Sequence, residues 1–177
     1  MKNAYEFKAV YDTLGVNLNT LGCLMLETEK PKIELTGAIP YVSPDPEKFW
    51  INGILDDAHV TVRYGFMPEV KATHINEVLR SVFKPSYVTI FDLEMFPSPF
   101  PDTEPYECIV GLVSSWDLTT ANVQLGVLPN VATYPIYKPH VTIGYVEKGW
   151  WDETGYKLNL DSISVKCGDW LMGKTLR

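Results

Sequence analysis

Apolar residues fall in short runs separated by glycine, proline and acidic turns. Residues 4–14 place Phe7, Val10, Tyr11 and Leu14 at helical spacing with Gly15 as a stop, which predicts a short N-terminal helix. Residues 22–27 (GCLMLE) form an apolar run bounded by turn formers, as a buried strand does, with 33–35 as a brief continuation. Gly37, Pro40, Ser43, Pro44, Asp45 and Pro46 predict a loop, because proline removes a donor and fixes φ. Residues 49–54 lead into a strand near 58–63 that Tyr64 and Gly65 end. Between Pro68 and Pro85, Val70, Ile75, Val78, Leu79, Val82 and Phe83 recur at helical spacing. Residues 87–96 and 107–113 read as strands flanking a proline-rich loop, and Ser115 opens a helix to about Leu128, before Pro129. Another strand follows Pro139, then a turn holding Trp150 and Trp151, then an alternating strand at 158–165.

The resulting order is strand, strand, helix, two strands, helix, strand, strand. It predicts an α+β architecture in two halves, built as one domain over residues 1–177.

Composition narrows the class. With 46% hydrophobic and 21% charged residues over 177 positions, the chain can bury a substantial core. No apolar run is long enough to span a bilayer and residues 1–6 carry no signal-like stretch, so no membrane association and a cytoplasmic location are expected. A net charge of −7 argues against binding long nucleic acid, which needs a basic face, but leaves room for a small phosphate-containing ligand. Cys23, Cys108 and Cys167 are odd in number and lack CxxC spacing, so packed, reduced thiols are expected rather than disulfides or zinc.

The chemistry concentrates in two strands. Residues 58–63 read AHVTVR and residues 139–144 read PHVTIG, so His59-x-Thr61 recurs as His140-x-Thr142, 81 positions later (140 − 59). In a strand, alternate side chains share a face. Each segment therefore presents an imidazole beside a hydroxyl while Val60, Val62, Val141 and Ile143 anchor the other face. Two structural strand histidines are one alternative. A metal site is another, but no carboxylate or cysteine recurs at suitable spacing, so no metal and no cofactor are expected. His74, on the predicted helix, reads as a surface residue. Acid/base work on a phosphodiester fits the pair better: one imidazole takes a proton, the other donates one, and the threonines donate to non-bridging oxygens.

The segments HVTVRYGF and KPHVTIGYV resemble the paired HxTx signature of the 2H phosphoesterase superfamily. That resemblance implies a bilobal fold of mostly antiparallel sheets with pseudo-two-fold symmetry and flanking helices. It also implies metal-independent cleavage or ligation of phosphodiesters by His59, Thr61, His140 and Thr142. Within the superfamily, the runs DDAHVTVRYG and YKPHVTIGY are most similar to phage anti-CBASS phosphodiesterases. This implies a cyclic di- or trinucleotide substrate with 3′–5′ linkages, met in the host bacterial cytoplasm. RNA ends bearing 2′,3′-cyclic phosphate, or a nucleotide-sequestering module without catalysis, are the alternatives. Which histidine is base and which is acid stays open at this level.

Around the motifs, Arg63 shares the parity of His59 if the strand stays regular, and is a candidate contact for a second phosphate. Lys138 has the parity of His140, with Pro139 between them. Tyr64, Tyr145, Trp150 and Trp151 are candidates for stacking on bases. Trp116 and Phe100 are candidates for a lid, and Glu147 and Asp152, beside the tryptophan pair, are candidate readers of an adenine amino group.

Overall fold

Among the described residues six segments, some alternating and some continuously apolar, form strands: β1 (Gly22–Thr28), β2 (Ala58–Phe66), β3 (Tyr87–Pro97), β4 (Tyr106–Ser114), β5 (His140–Glu147) and β6 (Ile163–Lys174). The computed structural model describes residues 21–44, 53, 57–131, 136–154 and 161–174. The helix expected at 4–14 and nearly all of 49–54 lie outside these. All pairings are antiparallel, and the strands close into a ring in the order β1-β2-β5-β4-β3-β6. Helices α1 (Ala72–Leu79), α2 (Trp116–Leu125) and α3 (Trp150–Thr154) accompany the ring.

The ring order contains a two-fold: β6-β1-β2 matches β3-β4-β5, with β2 meeting β5 and β6 meeting β3. The last strand therefore completes the half that holds the first. It was expected at 158–165, yet it runs from Ile163 to Lys174. Gly168, Asp169 and Gly173 give it little local strand signal. Pairing supplies the reason: Ile163 to Lys166 pair with β3 and most of the remainder with β1, so tertiary context overrides propensity.

Smaller differences also have local causes. Residues 33–35 form no strand; Ile33 and Leu35 pack instead as half-buried side chains against the second core. α1 starts at Ala72 because the Val70 N–H closes a turn onto the Met67 carbonyl at 2.9 Å. α2 is capped by Ser115, whose Oγ accepts the Leu118 N–H at 3.3 Å, and it stops at Leu125 with Gly126 as C-cap. The Trp150 turn is the short helix α3: the Glu107 carboxylate accepts the N–H groups of Gly149 and Trp151 at 2.8 and 2.9 Å.

Strand parity then sorts the side chains. Leu24, Leu26, Val60, Val62, Val88, Ile90, Val113, Val141 and Val165 meet Ile75, Leu79, Leu118, Ala121 and Leu125, so the main core lies between the ring and α1 and α2. Each such buried aliphatic contributes roughly 1.5–3 kcal/mol. A second core joins Leu93, Ile109, Val146 and Trp150, with Leu35, Ile143 and Trp151 against it. The opposite face of the strands is left for other residues, and the motif histidines and threonines are on it.

Candidate active site

β2 and β5 share one ladder pair, Val60 with Val141. These are the central residues of the two motifs. Continuing that antiparallel register, His59 falls beside Thr142 and Thr61 beside His140. Val60 and Val141 are fully buried in the main core, so the four motif side chains, all half-buried, share the opposite face. The junction has additional support, since the Tyr137 hydroxyl donates to the Thr61 carbonyl at 3.1 Å. Beyond it, each strand's edge bonds to a different segment. The Val131 N–H donates to the Gly65 carbonyl at 2.8 Å, and the Tyr41 N–H to the Tyr145 carbonyl at 2.9 Å. Gly65 has φ +86°, and a Cβ there would run into the Val131 carbonyl.

Both motif strands are bulged at the same place. Against β1, Met25 pairs with Thr61 and Leu24 with Arg63, so Val62 is the extra residue. Against β4, Val110 pairs with Thr142 and Ile109 with Gly144, so Ile143 is the extra residue. A bulge reverses the parity of everything after it. Arg63 and Gly144 therefore leave the motif face, while Tyr64 and Tyr145 join it, opposite Cys23 and Cys108 respectively. The Val62 carbonyl, displaced from the ladder, accepts the Asn122 Nδ2–H at 2.7 Å.

Arg63 follows from this geometry. Its guanidinium donates to Asn122 Oδ1 at 3.4 Å and Asn130 Oδ1 at 2.6 Å, beside the C-terminal end of α2. It stabilises the bulge and is not brought to the quartet. Trp150 sits in the second core, its Nε1–H on the Thr36 carbonyl at 3.3 Å, and Trp151 packs against that core. Neither is brought to the motif face. His74 caps the start of α1, its Nδ1 accepting the Lys71 N–H at 3.2 Å. Trp116 and Asp152 are exposed and Phe100 is half-buried in the β3–β4 loop. All three cysteines are free thiols on strands.

The two histidines differ electrostatically. Burial lowers the pKa of both. For His59, the Asp57 carboxylate opposes that shift. For His140, the hydrogen bond to the Lys138 carbonyl opposes it, as does Glu94, while His59 and the Lys138 ammonium reinforce it. The Val60–Val141 pair brings the two motifs side by side, in keeping with the effect of His59 on His140. His140 Nδ1 lies 2.8 Å from the Lys138 carbonyl oxygen. A carbonyl only accepts, so Nδ1 carries the proton and the neutral ring keeps its lone pair on Nε2. The edge of the His140–Phe96 pair fixes the ring further, with centroids 4.9 Å apart at 73°.

Several neighbours were not foreseen. β3 contributes Asp92, Glu94 and Phe96, opposite Leu112, Val110 and Cys108 and so on the motif face. β1 contributes Glu27 opposite His59. The Cys108 thiol, pushed up to about 12 by burial, hydrogen-bonds Thr142 and Tyr145. Alternation within 92–96 was the available signal, but which face it named required the register.

The arrangement offers two imidazoles, two hydroxyls and two phenols on one strand surface, related by the Val60–Val141 pair. No family model matches the chain, nor does any curated protein. Among solved structures the chain is similar to Usb1 of Kluyveromyces marxianus, with a TM-score of 0.54 and 13% identity, over 89% of this chain and 95% of that one. The chain shares the fold of that protein, a mostly antiparallel sheet with a few helices. The mostly antiparallel, pseudo-two-fold architecture that the paired motifs implied is thus the one observed.

Proposed function

We propose that the chain is a metal-independent phosphodiesterase that opens 3′–5′ linkages of cyclic di- or oligonucleotides. The observation that carries this reading is the junction of β2 and β5, where two His-x-Thr motifs meet across one valine pair with a tyrosine beside each. A site with internal two-fold symmetry suits a substrate with its own near two-fold, such as a cyclic dinucleotide. In this reading Tyr64 and Tyr145 stack on its two bases.

In the reaction, His140 Nε2 takes the proton of the neighbouring ribose 2′-hydroxyl, and that oxygen attacks phosphorus. His59, kept closer to its protonated form by Asp57, donates its proton to the departing 5′-oxygen. The Thr61 and Thr142 hydroxyls donate to the non-bridging oxygens, where negative charge grows. The product is a 2′,3′-cyclic phosphate. In the second step His59, now neutral, takes a proton from water, and His140 returns its proton to the 2′-oxygen. Together with the resemblance to the phage anti-CBASS enzymes, the reading assigns the chain to removal of cyclic-nucleotide signals of bacterial immunity.

Incubation with 3′,3′-cyclic GMP-AMP in excess EDTA tests this. Linearised product is expected. Turnover confined to RNA ends bearing 2′,3′-cyclic phosphate would transfer the chemistry to the alternative substrate. Tight binding without turnover would make the chain a sequestering module.

A further inference from the structure

Lys138 occupies an unusual position on the motif face. Its Nζ lies 2.8 and 3.0 Å from the two carboxylate oxygens of Glu94. Glu94 stands on β3 opposite Val110, and Val110 stands opposite Thr142 on β5. Cross-strand partners share a face, so the carboxylate belongs to the same surface as the quartet. Lys138 enters from the β5 side, two residues before His140, and must cross β4 to reach it. Two strand spacings are about 9.5 Å. The lysine side chain is therefore laid over the motif face, although Pro139 separates it from the strand.

An ammonium has three donors, and both bonds here go to one carboxylate. Half of the side chain remains in solvent, at 51% exposure, and so open pairing contributes little to folding. The matched position in the other half, 81 residues earlier, is Asp57, so this cation has no counterpart across the pseudo-two-fold. With Arg63 turned away to Asn122 and Asn130, the cation the structure lays across this face is a different one from the one the motif parity suggested.

We propose that Lys138, held by Glu94, is the contact for a second phosphate of the substrate while the first is cleaved between His59 and His140. The inference rests on the phosphodiesterase reading and deepens it: it makes the site selective for substrates with two phosphates over those with one. It also breaks the symmetry of a cyclic dinucleotide, since only one of its two phosphates can meet the ammonium.

The test compares the unmodified protein, Lys138→Gln and Lys138→Arg on 3′,3′-cyclic GMP-AMP and on 2′,3′-cyclic AMP, which has a single phosphate. Lys138→Gln is expected to raise KM for the dinucleotide about 10-fold or more beyond any change it causes on the one-phosphate substrate, as loss of a charge-assisted contact does. Lys138→Arg restores part of the loss. Equal losses on both substrates, or none on either, would overturn the proposal: the first assigns Lys138 to His140 alone, the second to the surface. Equilibrium binding of 3′,3′-cyclic GMP-AMP to His59→Ala/His140→Ala, with and without Lys138→Gln, reads the subsite independently of turnover. A weakened Kd there with no turnover by the unmodified protein would retain the subsite and reject the hydrolytic reading. An unchanged Kd rejects the subsite.

Discussion

Two residues before the motif histidine, the β2 half carries Asp57 and the β5 half carries Lys138. Elsewhere the halves repeat one another closely. Each has a motif strand bulged one residue after its threonine, a tyrosine returned to the face by the bulge, and a cysteine opposite that tyrosine. Equivalent scaffolds deliver equivalent side chains, and the hydrogen bond at His140 Nδ1 then distinguishes the two rings. The carboxylate favours the protonated form of His59. For His140, burial lowers the pKa and the hydrogen bond to the Lys138 carbonyl opposes that, while the same bond fixes the tautomer with the lone pair on Nε2.

The largest effect should come from removing either member of the matched pair. His59→Ala or His140→Ala is expected to cut kcat by about 10²-fold or more, with the fold retained by circular dichroism. A loss from one substitution only would mean that the halves do not act on the same phosphate. Tyr64→Ala and Tyr145→Ala come next. Each should raise KM for 3′,3′-cyclic GMP-AMP by roughly 10-fold, since stacking on one base is worth about 1–3 kcal/mol. If only one does so, the two-fold of the scaffold is not matched by the ligand.

A third substitution separates the halves where they differ by design. Arg63→Met should lower unfolding free energy by about 1–3 kcal/mol, because it removes charged hydrogen bonds that fix the β2 bulge. KM should stay nearly constant. A large KM rise at unchanged Tm would return Arg63 to the cleft. The smallest effect concerns protonation. Asp57 raises the pKa of His59 against burial, so Asp57→Asn lowers it further. As His59 must be protonated to donate, the basic limb of log kcat/KM against pH should move to lower pH, while the acidic limb stays in place.

The quartet was legible in the sequence because strand parity has a period of two and the motif occurs twice. Most of the element order was legible from apolar runs, helical spacing and the prolines and glycines between them. What parity could not show was where it fails. Arg63 was assigned to the face of His59 on the condition that β2 stayed regular, and the bulge at Val62 breaks that condition. The same event at Ile143 brings in Tyr145, which strict alternation would have sent outward. Trp150 and Trp151 drew notice as neighbours in a turn. Glu107 instead caps a helix there, and both indoles pack on the second core. Glu94 and Phe96 are distant in sequence from either motif, so only the β3–β4–β5 register connects them to His140.

The central claim is that His59 and His140 serve one phosphodiester as acid and base. Because both pKa values lie below 6.5, log kcat/KM for 3′,3′-cyclic GMP-AMP should trace a bell against pH with its maximum below 6.5. The most direct measurement repeats that profile on the two alanine variants. His140→Ala should lose the acidic limb, where the base must shed its proton, and His59→Ala should lose the basic limb. Loss of the same limb in both variants, or retention of both limbs in either, would contradict the account.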